Sequence, residues 1–76
     1  MHVELWAMTG NQGARVMCTI RAENGGVQIQ TNEPVPPPIL RDIEMQRGRK
    51  TDDAEFLKSL EIEFSGSYYR AKFISD

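Results

Sequence analysis

The sequence predicts an α+β fold, a small antiparallel sheet packed by one main helix, in a single domain over residues 1–76. Three observations carry this. Two alternating segments flank Asn24-Gly25-Gly26, a proline-rich stretch interrupts the chain at Pro34–Pro38, and a helix-capping pattern follows at Thr51–Glu55. Together they give an N-terminal three-stranded meander, a crossover, a helix, and one or two C-terminal strands.

Val3 to Met8 reads as the first strand, with Val3, Leu5 and Ala7 opposed to Glu4, Trp6 and Met8. Both parities are mostly apolar, which places the strand inside the sheet or covers it on two sides. Thr9-Gly10-Asn11-Gln12-Gly13 has the composition of a turn. The next segment sets Val16, Cys18, Ile20 and Ala22 against Met17, Thr19, Arg21 and Glu23. After the glycines, Val27, Ile29 and Thr31 alternate with Gln28, Gln30 and Asn32. A period of two sends side chains to opposite faces of a strand. Asn24 and the glycines tolerate the positive φ of a tight hairpin.

Pro34-Val35-Pro36-Pro37-Pro38 ends the sheet, because proline has no amide to donate and favours an extended backbone. Pro34 and Pro37 also have the spacing of a proline-recognition ligand, but a stiff spacer explains the segment without a partner. Pro38 to Arg47 reads as a short helix, with proline at its start, Ile39, Leu40 and Ile43 on one face, and Gly48 as a stop. The same stretch alternates as a strand through Arg41, Ile43 and Met45. Arg47-Gly48-Arg49-Lys50 reads as a basic loop.

The main helix follows. Thr51 or Asp52 caps it, Asp52 with Glu55 has capping-box spacing, and Phe56, Leu57 and Leu60 share a face. Glu61-Ile62-Glu63-Phe64 either extends that helix or alternates as a strand. Ser65-Gly66-Ser67 is a turn, and Tyr68 to Ile74 is the last strand.

A chain of 76 residues buries only about 60% of its unfolded surface, so large apolar residues are presumed to pack before they are presumed to act. The net charge of −2 lacks the basic balance of a general nucleic-acid or membrane binder. One cysteine, Cys18, excludes an internal disulfide and a four-cysteine zinc site. With no secretion pattern and no bilayer-length apolar run, the chain is expected to be cytoplasmic and to have no membrane association.

Chemistry finds few candidates. His2 is the only near-neutral acid or base and lies beside Met1; Cys18 lies on an apolar parity; Ser59, Ser65, Ser67 and Ser75 have no activating partner. Glu61, Glu63, Asp52 and Asp53 serve capping and solvation as well as they would serve a cation. The glycines lack phosphate-loop spacing. No catalytic residue, metal ligand or cofactor is therefore expected.

By subtraction, the sequence reads as a small soluble non-enzymatic binding or interaction module. Its candidate surface is Trp6, Met8, Met17, Tyr68, Arg70 and Lys72, with Arg47, Arg49 and Lys50 as a basic loop. Covering one sheet face with a helix leaves these aromatic and methionine side chains on the other, and such types are enriched in interface cores. The expected partner is a protein, or a second copy in a homodimer. Against this, the Pro34–Pro38 and Ile39–Met45 segments are also able to fold over that face. One alternative is single-stranded nucleic acid, read by Tyr68, Arg70 and Lys72 with the basic loop. A small enzyme or metal-binding domain is a further alternative.

Overall fold

The turn at Asn24-Gly25 fixes the sheet. In the computed structural model, which describes residues 1–76, Asn24 has φ +52° and Gly25 φ +80°. Positive φ at both central residues is what a two-residue hairpin needs to match the twist of its strands. The turn joins β2 (Arg15–Glu23) to β3 (Gly26–Thr31), with Glu23 opposite Gly26. The first strand, β1 (His2–Ala7), pairs antiparallel with β2 on one side and with β4 (Tyr69–Ile74) on the other. The sheet order is β3-β2-β1-β4. Placing β1 inside accounts for its two apolar parities.

One irregularity rearranges β2. Leu5 lies opposite Cys18, but Trp6 lies opposite Val16, so Met17 has no partner. An extra residue in one strand of a pair is a β-bulge, and it reverses the parity beyond it. Met17 and Cys18 are consecutive and both buried, at 3% and 0% exposure. The expectation that Met17 faces away from Cys18 is thus corrected, and Val16 leaves the core parity to sit beside Trp6.

Two helices link β3 to β4: α1 (Pro37–Arg49) and α2 (Asp53–Glu63). Pro37 and Pro38 occupy the first two positions of α1, where their missing amides would be unpaired anyway. The ambiguous segment is helical because Ile39, Ile43 and Gln46 recur at helical spacing against α2 and the core. Gly48 does not stop it. Arg47 and Arg49 belong to its last turn, where the helix dipole favours cations, so the basic loop expected at 47–50 is mostly helix. At the start of α2, the Asp52 side chain accepts the Glu55 amide at 2.9 Å, as the capping pattern predicts. The helix continues through Glu63, leaving a single C-terminal strand.

The core is one cluster. Phe56, Leu57 and Leu60 from α2, Ile43 from α1, and Phe64 just beyond α2 pack on Val3, Leu5, Cys18, Ile20 and Ala71. Fully burying a side chain such as Phe56 or Leu60 stabilises by roughly 1.5–3 kcal/mol. Both helices meet this one cluster, so the Ile39–Met45 segment lies on the same side as α2. Neither helix packs its apolar residues on the opposite sheet face.

Candidate functional site

The uncovered face is built from the outward parity of four strands. Register places Glu4 between Thr19 and Lys72, and Trp6 between Val16 and Arg70. Met8 donates its amide to the Tyr68 carbonyl at 2.8 Å, extending the β1–β4 pairing by one step. Trp6, Met8, Arg70 and Lys72, which the sequence grouped only by parity, therefore come together. With Ala14 and Glu61 they border a hollow of about 410 Å³, the largest concavity of the molecule. Trp6 is half-buried and its indole Nε1 donates to Glu4 Oε1 at 3.4 Å. Arg70 lies opposite the half-buried ring, and Lys72 borders the same hollow one step along the strand face.

Two of the expected surface residues go elsewhere. Met17 is buried through the bulge and lines a separate cleft of about 270 Å³ with Ala7, Pro34 and Pro36. Tyr68, 67% exposed, is in the loop before β4 and borders that same cleft. Arg15 and Glu33 also line it, and they neutralise each other through a two-pronged pair: Arg15 Nε donates to Glu33 Oε2 at 2.7 Å and Nη2 to Oε1 at 3.0 Å. This pair ties the start of β2 to the segment leading into α1.

The expected basic group also comes apart. Arg47 has only 9% of its side chain exposed. Its guanidinium sits 4.6 Å from the centre of the Phe56 ring and donates to Asp53 Oδ1 at 3.0 Å, the Lys50 carbonyl at 2.9 Å and the Thr51 carbonyl at 2.7 Å. Three of its five N–H donors are used inside the fold. Arg49 and Lys50 remain exposed but lack the third cation.

Asp53, which the sequence assigned to capping and solvation or to a cation, is the centre of this arrangement. Besides Arg47, its carboxylate accepts the backbone amides of Asn24 at 3.1 Å and Gly25 at 3.2 Å. Successive amides of left-handed residues form a concavity that holds an anion, and here the anion is a side chain of the same chain. The β2–β3 hairpin is thereby locked to the α1–α2 junction.

Of the remaining reactive types, Cys18 and His2 lie against the packed fold. Cys18 is fully buried, and desolvation pushes its thiol up to about 11, so at neutral pH it is a thiol and not the nucleophilic thiolate. His2 Nδ1 lies 3.2 Å from Asp76 Oδ1, and the Met1 ammonium donates to the other oxygen of that carboxylate. The ammonium's hydrogen bond holds the Asp76 carboxyl below the usual range. No three carboxylate, histidine or cysteine side chains converge as metal ligands, and no helix is long and apolar enough to cross a membrane. Comparisons with protein-family models, curated proteins and solved structures returned no match to this chain.

Proposed function

We propose that this chain is a non-enzymatic interaction module that binds a protein, either another species or a second copy of itself. Its working surface is the helix-free face around Trp6. One observation carries the reading: both helices pack their apolar residues on one side, leaving Trp6, Met8, Arg70 and Lys72 around an open hollow on the other, with Val16 next to Trp6. Tryptophan, methionine and arginine are concentrated in interface cores, where a ring in a desolvated pocket contributes most.

Trp6 is the only tryptophan, so its emission reports directly on this face. Titrating a captured partner against the purified chain is expected to shift Trp6 emission to the blue. Trp6→Ser and Arg70→Glu are expected to abolish retention of that partner while the circular dichroism stays unchanged. A partner held equally well by both folded variants defeats this reading.

The adjacency of Trp6 to Arg70 and Lys72 also favours a second reading, single-stranded nucleic acid stacked on the ring with its phosphates on the cations. Glu4 beside Lys72 and the net charge of −2 weigh against it. Salt-dependent binding of an oligonucleotide, lost in Arg70→Ala, is the result that supports it; no binding at low salt dismisses it.

A further inference from the structure

The backbone of β3 carries an unused row of hydrogen-bonding groups. A two-residue turn makes Glu23 and Gly26 a hydrogen-bonded pair, and such pairs then alternate along an antiparallel ladder. Arg21 with Gln28 and Thr19 with Gln30 are therefore the pairs that exchange bonds. The Asn32 amide, which donates to the Met17 carbonyl at 2.8 Å, continues this phase past the strand end. The amides and carbonyls of Val27, Ile29 and Thr31 consequently point away from the sheet. No side chain or loop amide reaches them.

Unpaired edges invite another strand, and proteins blunt them with charge, proline, bulges or cover. The residues Gly26-Val27-Gln28-Ile29-Gln30-Thr31 contain no charge and no proline, and the bulge lies on the other side of β2. The far edge of the sheet is closed: Ala71 donates its amide to the Phe64 carbonyl at 2.8 Å, and Phe73 donates to Glu61 Oε2 at 2.9 Å.

We infer that the β3 edge pairs antiparallel with the β3 edge of a second copy, making one continuous eight-stranded sheet with Ile29 at the two-fold axis. This rests on reading the chain as an association module and names the partner. With Ile29 opposite itself, Val27 faces Thr31 and Gln28 faces Gln30, so all three outward residues of each copy exchange both backbone bonds. Branched side chains meet branched ones. The glutamine amides each donate and accept, so Gln28 and Gln30 satisfy one another across the axis. Glu33 falls opposite the partner's Gly25, beyond the paired strand, and keeps its own Arg15 as counter-ion. A segment of unrelated sequence gains nothing from this self-complementarity, which is why a second copy is the occupant. An axis perpendicular to the sheet keeps all helices on one side and doubles the open face, placing two Trp6 hollows on one surface.

Sedimentation equilibrium from micromolar to millimolar concentration, with amide exchange on the same samples, tests the pairing. The wild-type mass is expected to rise from 8.6 kDa toward twice that value as the Val27, Ile29 and Thr31 amides gain protection. Gln28→Glu with Gln30→Glu sets carboxylates against each other across the axis and is expected to weaken the dimer by at least about tenfold. Gln28→Glu with Gln30→Lys differs at one position, sets opposite charges together, and is expected to keep the dimer; it also controls for folding. A strictly monomeric wild type overturns the inference, as does protection of these amides only when a foreign protein is added. A dimer that the double glutamate variant leaves equally tight overturns it too, and moves self-association to another surface while the module reading survives. If the pairing behaves as expected but Trp6→Ser loses no partner, the open-face reading fails and the edge pairing stands.

Discussion

The two edges of the sheet are built on different principles. At β4, α2 and the segment leaving it use the outward amides of the strand: Phe64 takes the amide of Ala71 and Glu61 takes that of Phe73, with Ser65 paired beside Arg70. The outer face of that strand carries Arg70 and Lys72. At β3 the polar investment goes to the two ends of the strand. Asp53 grips the turn before it, and Arg15 grips Glu33 after it. The edge between those anchors is neutral and unpaired. Fixing a strand in place and protecting its edge are therefore separate tasks, and this chain performs both at β4 but only the first at β3.

Proline substitution separates the two tasks most sharply. Ala71→Pro removes the amide that meets the Phe64 carbonyl, and puts a ring where that carbonyl lies at 2.8 Å. Ala71 is also buried at 5% exposure, so the clash has no room to relax. The expected cost is about 3 kcal/mol, read as a shift in the urea midpoint. A change below about 1 kcal/mol would show that the β4 edge is not held closed by this contact.

The anchor at the β3 turn comes next. Asp53→Ala strands the nearly buried Arg47 guanidinium and frees the amides of Asn24 and Gly25. An uncompensated buried charge is costly, although the Asp53 side chain keeps 34% exposure and water takes up part of the loss. About 2–3 kcal/mol is expected, with amide exchange at residues 24 and 25 accelerating more than at β4. Equal acceleration along both edges would mean that Asp53 stabilises the whole domain and does not serve the hairpin in particular.

The contrast between these contacts and the hairpin shows what the sequence exposes. Asn24-Gly25, the Asp52–Glu55 cap and the Phe56–Leu60 stripe are local signals, because each depends on residues within a few positions of itself. The bulge at Met17 is not local: it is a mismatch between β1 and β2, and only the register reveals that Val16 and Met17 exchange roles. Residues 38–47 fit both periods through the same few apolar positions, and the outcome was settled by packing of Ile43 and Gln46 near α2. Arg47 and Asp53 look like ordinary surface charges until the hairpin arrives 28 or 29 residues away in sequence. The candidate face was half legible. Arg70 and Lys72 are near neighbours in the chain, but their companion Trp6 is joined to them only by pairing of the first and last strands, and Tyr68, grouped with them by sequence, borders a different cleft.

Glu61 offers a gentler way to open the closed edge. Glu61→Ala removes the acceptor for the Phe73 amide but leaves the Phe64 contact intact. Because this hydrogen bond is exposed, water replaces much of it, and about 1 kcal/mol is expected. The informative readout is local, since the Phe73 amide should exchange faster while that of Ala71 does not. Glu61→Gln, which keeps an acceptor oxygen, should restore most of the protection. If it restores none, the carboxylate acts through its charge and not through this hydrogen bond.

The smallest expected effect is the one most specific to the comparison. Thr31 lies on the same kind of outward-facing position as Ala71, since the inward amide belongs to its neighbour Asn32. Proline there removes a donor that no group in the chain accepts. The side chain is exposed, so little packing is lost, and the preceding Gln30 is already extended, as a residue before proline prefers. Proline is tolerated in a sheet where its missing amide faces an open edge. Thr31→Pro should therefore leave the urea midpoint of the dilute monomer within about 0.5 kcal/mol of wild type. A loss approaching that of Ala71→Pro would mean that the Thr31 amide already has a partner within the chain, and that the two edges are more alike than their hydrogen bonds indicate.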